Sequence, residues 1–567
     1  DPWLYSIFLP IDAHLTTPVQ NIESLYYPQW ALQNEVIPEA GRMIWTSNWV
    51  PGIWSVRELW PGDNYHLAMS YFQAGLSDEG WQILKGTLTH TGFYHLVPGN
   101  LGSPQGGIDF GDCVHPFARC VVSGLFGLNP DYPKSEVNIS PSFPSNWNHA
   151  SISIPDVSIT FKKAKNEIDY EIILKRDASM NLNIPIQCKS VRAVTVNGKA
   201  VAYQCLPAVG RSVLKIKTAS VKKALLRISY EVDRIIHKPL TMTLSANSIT
   251  KIAIPDCNKI LAINDPQGVF GKTTLSNNIV SCTVLNNIGF HTVIAEVLNG
   301  SCLQWRVLHL KIENKLQESE EADKNPSVNT MKGVSWETVD IAGQFNADIR
   351  MIYKQKYLSP RPNTVSVRLG TDGYSPWTFP HWKSKVPEIQ LDSIGRYLQN
   401  NNLVVPQGIP FKWNSVDKNS AFVSLWDNYP NRISFDVNRR KGRFISFLVG
   451  GSTNVMQCHI ENATISIRYE DGKTDTIRLV PPVNYWNLCP ITSTATASGQ
   501  GGRTYYTSLI DKFCMPKVFP ETVNMGKNCT VMLINRRLRD DVGIESVSLE
   551  CLSQEVVVGM MGISIGK

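Results

Sequence analysis

Two stretches of the chain gather residue types able to do acid–base chemistry. The first runs Arg57-Glu58-Leu59-Trp60-Pro61-Gly62-Asp63-Asn64-Tyr65-His66, with Trp45, Trp49 and Trp54 just upstream. Two carboxylates, a guanidinium and an imidazole beside several indoles suit a sugar site. Carboxylates serve as acid, base or nucleophile at a glycosidic bond, and aromatic faces stack on sugar C–H surfaces. The competing reading is architectural: Asp63 caps a helix, Glu58 pairs with a neighbour and the tryptophans pack between helices. The second stretch is Gln105-Gly106-Gly107-Ile108-Asp109-Phe110-Gly111-Asp112-Cys113-Val114-His115-Pro116-Phe117. Two acids and a histidine sit in a glycine-rich loop that feeds a helix. Asp63 and Asp112 lie at expected helix starts, where a carboxylate accepts free backbone N–H bonds. Asp109 and Glu58 lie further back, so they are the expected catalytic pair. Trp45, Trp49, Trp54, Trp60, His66, Asp63, Asp112 and His115 are the expected substrate contacts.

The elements that position these residues follow from pattern. Ser77 starts a predicted helix carrying Trp81, Ile83, Leu84 and Leu88. A second predicted helix runs from Asp63 to Gly75, a natural residue just past a helix end. Its segment Tyr65–Ala74 is apolar on most faces, which predicts burial among other helices. Pro116 reads as a first-turn proline of a helix ending at Gly127. Long Gly/Pro/Trp loops, 44–54 and 97–107, separate these helices, and loops of that length are usually functional.

After Pro133 the helical period gives way to alternation. Ala193–Val201 contains Asn197-Gly198, which fits a tight type I′ hairpin between strands. The reading divides the chain into helices at 1–133, a β-sandwich at 134–236 and a small immunoglobulin-like β unit at 237–314. A polar linker follows at 315–333, then a last large β unit at 334–567, with even strands such as Phe444–Val449 and a turn at Asp471-Gly472.

Composition sets the outer bounds. With 567 residues, 43% of them hydrophobic and 18% charged, the chain has material for several cores. The net charge of +7 is spread thinly, and no Lys/Arg block is long enough for a nucleic-acid patch. No apolar run reaches the ~18 residues of a membrane span. Twelve cysteines are scattered without a Cys-x-x-Cys pair. That predicts no structural zinc site, and most of these thiols read as small buried hydrophobes. No metal and no cofactor is expected.

Several motifs together resemble a known family. They are the acidic Gly-rich loop, the helix ending Gly124-Leu125-Phe126-Gly127-Leu128, then Ile139-Ser140-Pro141, Pro144-Ser145-Asn146-Trp147 and a sandwich holding Val196-Asn197-Gly198. This order resembles bacterial six-hairpin (α/α)6-barrel glycoside hydrolases. Gln105–Gly111 is similar to a loop of the inverting α-L-fucosidase family, with an inserted glycine and a missing asparagine. The resemblance implies a multidomain α+β chain: partial (α/α)6 barrel helices at 1–133, followed by several antiparallel β-sandwich domains. It implies that Asp109 assists the water-activating base. It also implies a jelly-roll, galactose-binding-like sandwich at 334–567, from Gly408–Phe411 and Gly450–Asn454.

Residues 1–133 hold about four helices by periodicity, fewer than a closed barrel needs. The expectation is therefore the C-terminal portion of a periplasmic or secreted bacterial glycoside hydrolase. Its partners would be an oligo- or polysaccharide and the missing barrel portion, either removed or present as a separate chain. The alternatives are a non-catalytic carbohydrate-binding protein and a polysaccharide lyase, for which Tyr65, His66 and Arg57 supply candidate groups.

Overall fold

In the computed structural model the described residues are all but 1–2, 48–58, 93–110, 234, 236, 315–325, 355–387, 414–416, 426–427, 454–456, 458, 482, 489–520, 540–541 and 555. The chain forms two compact units. One comprises Pro2–Ser47 and Leu59–Lys315, the other Leu316–Lys567.

The first unit opens with helices. Helix α1 (Leu4–Asp12) precedes α2 (Pro18–Ala31), where Thr17 and Gln20 exchange hydrogen bonds in a capping box with Pro18 in the first turn. Strands β1 (Asn34–Ile37) and β2 (Gly41–Ile44) make a hairpin. Helices α3 (Pro61–Gln73), α4 (Ser77–Gly92) and α5 (Gly111–Arg119) follow, the last running into a π-helical turn at Cys120–Leu125. Nearly every residue of α3 is buried, and Gly75 takes φ +77° just beyond its end, as the sequence predicts. A Cβ at Gly86 would meet the Arg42 backbone at 2.5 Å, so the hairpin lies directly on α4.

The expected barrel remnant is not what forms. Among the described residues there are five α-helices, interrupted by a β-hairpin. Their apolar faces do not close on one another as a ring. One continuous core runs from Leu4 through the α3 residues Met69 and Phe72 into sandwich residues such as Phe161, Ile172 and Leu226. The helices spend their apolar surface on a sheet, which leaves no face to build a barrel wall. Pro116 also departs from expectation: it lies inside α5 rather than in its first turn.

That sheet is a ten-stranded assembly around one 20-residue strand, Glu167–Ile186. Its first half pairs antiparallel with Val157–Lys163 and Val221–Val232, and its second half with Arg211–Lys217. Even-numbered positions from Ile168 to Ile186 stay inward except at Arg176. One strand therefore serves two layers. The Asn197-Gly198 hairpin forms with both residues at positive φ, because that dipeptide matches the strand twist.

Leu240–Glu313 adds a sandwich of four plus three strands, whose first strand runs parallel to its last, an immunoglobulin-type arrangement. A buried polar network joins it to the preceding sandwich. His237 Nε2 lies 2.7 Å from Asp233 Oδ2 and 2.9 Å from Arg306 Nη2. Arg306 donates to Gln304 at 2.6 Å, and Asn299 donates to Asp233 at 2.7 Å.

The second unit holds three antiparallel sheets among the described residues. Six strands form one sheet around Phe444–Ser452 and Val557–Gly566, four form a second, and the short strands Leu398–Gln399, Asn402–Val404 and Pro410–Lys412 form a third. Both central strands are buried at every position, since one face meets the second sheet and the other a separate apolar cluster.

Candidate functional site

The start of α3 gathers three of the sequence-predicted site residues. Asn64, fully buried, accepts from the Ile44 amide at 2.8 Å and donates to the Ile44 carbonyl at 2.9 Å and to Trp60 O at 2.9 Å. This clamp brings Trp45, Trp60 and Asp63 to one end of the helix. Trp60 is the residue flanking the helix start and is buried. Asp63 is 1% exposed and sits in the first turn, not at the cap, where the helix dipole favours its charge. Trp45 is half-buried, and its amide donates to Gln33 O. Asp63 thus sits near the helix start without being the cap, and Glu58, the other carboxylate of the motif, lies outside the described residues. Sequence reasoning did not single out Asn64 as the residue that organises this end of the helix, although an asparagine one turn into a helix is the signal that a backbone clamp leaves.

Two more of the predicted residues are described, and they lie apart from this group. His66 is half-buried and stacks on Phe8 at 4.9 Å. His115 is exposed on α5. Asp112 lies in the first turn of α5, and its side chain is outside the described set. Asp109, Glu58, Trp49 and Trp54 lie outside the described residues, as does the aromatic stretch 374–382. Among the described residues no cluster of His, Cys, Asp or Glu could hold a metal ion, and no helix is long and apolar enough to cross a membrane.

A different set of residues forms a depression where α4 meets the first sandwich. It encloses about 450 Å³, counting its open mouth. Phe143, Phe161 and Tyr170 make its apolar floor, and Trp147, half-buried, lines the side. Trp147 is fixed edge-on to Trp81 at 5.0 Å and stacked with Phe143 at 6.1 Å. The polar groups are Lys163, Arg211, Gln187 and Ser145.

Each polar group is oriented by the scaffold. Lys163 donates to Ser145 O at 3.1 Å, and the Ser145 amide donates to Asp78 of α4 at 2.8 Å. Arg211 spends one N–H on Ser77 Oγ at 3.2 Å, out of the five a guanidinium carries. Burial and then the nearby Arg211 charge hold the Lys163 pKa below its usual value, against a smaller opposite pull from Asp78. Two cations and one carboxylate around an aromatic wall make a site that is net positive and shallow. It is equipped to hydrogen-bond an oxygen-rich ligand and to attract an anionic group.

No family model matches the chain, and no curated protein matches it in sequence. Among solved structures it is similar to SGBP-B of a Bacteroides ovatus mixed-linkage glucan utilization locus, in complex with a mixed-linkage heptasaccharide. That pair shares 7% identity over 71% of this chain and 93% of the other, with a TM-score of 0.12. It is similar to SGBP-B from a complex xyloglucan utilization locus in Bacteroides uniformis, at 7% identity, 74% and 100% coverage, and a TM-score of 0.13. The N-terminal Ig1-2 module of the Drosophila receptor protein tyrosine phosphatase DLAR shares 12% identity over 26% and 91%, with a TM-score of 0.13. Likeness at these TM-scores carries no argument about function. None of these similar structures is a six-hairpin barrel or a fucosidase.

Proposed function

We propose that the chain is a carbohydrate-binding protein built of β-sandwiches, and that it holds a glycan at the depression between α4 and the first sandwich. The observation that carries this reading is the pairing of Trp147 with the Lys163 and Arg211 cations around one shallow mouth. An indole offers a face or edge to sugar C–H groups, and the cations reach hydroxyls or a carboxylate. The favoured ligand class is an oligosaccharide bearing uronate or another anionic group. Cleavage has no comparable support, because Asp109 and Glu58 lie outside the described residues. A periplasmic or secreted bacterial setting belongs with this reading, since that is where a protein meets polysaccharide.

The test is affinity electrophoresis of the full chain through gels containing a neutral glucan or a uronate-rich polysaccharide. Retardation by the acidic polymer, weakened in Trp147→Ala, is the expected result. Equal mobility in both gels and in plain gel contradicts the proposal. Reducing ends or a new near-ultraviolet absorbance in the same mixtures would instead favour a hydrolase or a lyase.

A further inference from the structure

Three cysteines far apart in sequence meet at the junction of the two sandwiches of the first unit. Cys188 begins strand Cys188–Val196, and Cys302 begins strand Cys302–Glu313. Both are buried, and their sulfurs are 3.3 Å apart. Cys205, on Tyr203–Ala208, is half-buried, and its thiol lies near that of Cys302. The backbones are locked together at the same place. The Ser301 amide donates to Lys189 O at 2.8 Å, and Ser212 Oγ donates to Leu303 O at 2.6 Å. A Cβ at Gly300 would lie 2.3 Å from Lys189 O, so only glycine permits this approach.

We propose that Cys188 and Cys302 are a redox-modification site, closing to a disulfide that staples the two sandwiches, with Cys205 as its point of access. The sulfurs need to approach by about 1.2 Å to reach bonding distance, within reach of small side-chain torsions while the backbones stay held. The oxidant is a disulfide-bearing carrier such as oxidised glutathione or a thiol–disulfide oxidoreductase. The Cys205 thiolate attacks the carrier disulfide, and one carrier thiol leaves. Cys302 then attacks the Cys205 sulfur, releasing the second carrier thiol. Finally Cys188 attacks the Cys302 sulfur and regenerates the Cys205 thiol. In sum two thiols lose two protons and two electrons, an S–S bond forms, and the carrier is reduced to two thiols.

The contact with Cys188, together with burial, pushes the Cys302 thiol up to about 11, and the neighbouring Cys302 thiol and burial raise Cys205 as well. Thiolate is scarce at neutral pH, so exchange in the folded chain is slow and the redox state is set largely during folding.

The experiment uses the unaltered full chain, refolded in an oxidised/reduced glutathione buffer, alkylated and digested without reduction. The expected product is a peptide pair linked through Cys188 and Cys302, with Cys205 alkylated. The thermal midpoint should fall by several degrees when the same sample is reduced. Alkylation of both Cys188 and Cys302, or a Cys205–Cys302 link as the final product, overturns the proposal. In Cys205→Ser the link should still form from the folded reduced chain, but several-fold more slowly. An equal rate overturns the access role.

Discussion

The two units solve the same problem with different materials. The second buries its central strands, Phe444–Ser452 and Val557–Gly566, at every position, mostly between apolar partners. Its shifted carboxylates are at the surface: Glu337 is held low by the hydrogen bond from Lys567, and the Asp471 carboxyl, which burial alone would raise, is held low by Arg539. The first unit joins three modules, and its seams carry buried polar groups. Arg306, Asp233 and His237 lie at the sandwich junction, the thiol cluster lies beside them, and His309 and Glu23 lie where α2 meets the immunoglobulin-type sheet. Apolar layers tolerate changes of pH and redox potential, whereas polar seams respond to both. A fold assembled from modules is therefore most sensitive where the modules meet.

The largest expected effect tests that contrast directly. Arg306→Ala removes a buried cation and takes a hydrogen-bond donor from both Gln304 and His237, at a cost of about 3 kcal/mol. Hydrogen exchange on the full chain should show faster opening along Cys302–Glu313, with exchange in Val557–Gly566 unchanged. Equal acceleration in both units would dissolve the distinction.

A second pair of variants probes what the units share. Asn64 clamps the Ile44 amide and carbonyl, and Asn346 clamps those of Phe422 at 2.8 and 3.0 Å. Each Asn→Ala change leaves a backbone donor and acceptor without their partner, so each should cost about 2 kcal/mol by denaturant titration. A near-zero cost at Asn346 alone would mean that the second unit does not depend on polar clamps at all.

The pH response sharpens the comparison further. Burial, followed by the Asp265 charge, raises the Glu23 carboxyl to about 7. The folded chain keeps a proton that the unfolded chain has released, so this contribution is whole below about 4.5 and lost as pH rises through about 7. His309, wedged against Tyr26 at 4.5 Å and Trp30 at 5.2 Å, is lowered to about 4 by burial. Its contribution is whole above about 6.5 and lost as pH falls through about 4. Exchange protection of α2 should thus weaken at both ends of that range. His309→Leu should remove the acid limb alone, and an unchanged acid limb would show that His309 is not its source.

The smallest effect is expected at the surface. Arg119 makes a two-pronged ion pair with Asp12 at 2.8 and 2.9 Å, but its side chain is half exposed. Arg119→Ala should cost no more than about 1 kcal/mol, and less at high salt.

These contrasts also show what the sequence could and could not disclose. The Asn197-Gly198 hairpin, the buried α3 and its Gly75 stop were legible because their chemistry is local: turn dihedrals, helical spacing, a positive φ. The barrel expectation failed because helical spacing tells which face is apolar but not what covers it. Here the cover is the sheet built on Glu167–Ile186. The Trp147 depression was hidden for a related reason. Trp147, Lys163 and Arg211 come from separate elements, and α4 orients them through Ser77 and Asp78, a relation that no spacing along the chain encodes. The acidic motifs drew attention because carboxylates beside tryptophans look catalytic; of these, Asp63 is a buried first-turn residue close to the helix start where the sequence put it.

Calorimetric titration of the full chain with a uronate-bearing oligosaccharide tests the central claim most directly, with Trp147→Ala and Arg211→Met run alongside. The account predicts saturable binding that weakens with salt. Loss of the stacking wall should reduce affinity about fivefold, in line with an aromatic contribution of about 1 kcal/mol, and loss of the guanidinium should flatten the salt dependence. Binding of equal strength in all three chains, or none in the unaltered one, would contradict it.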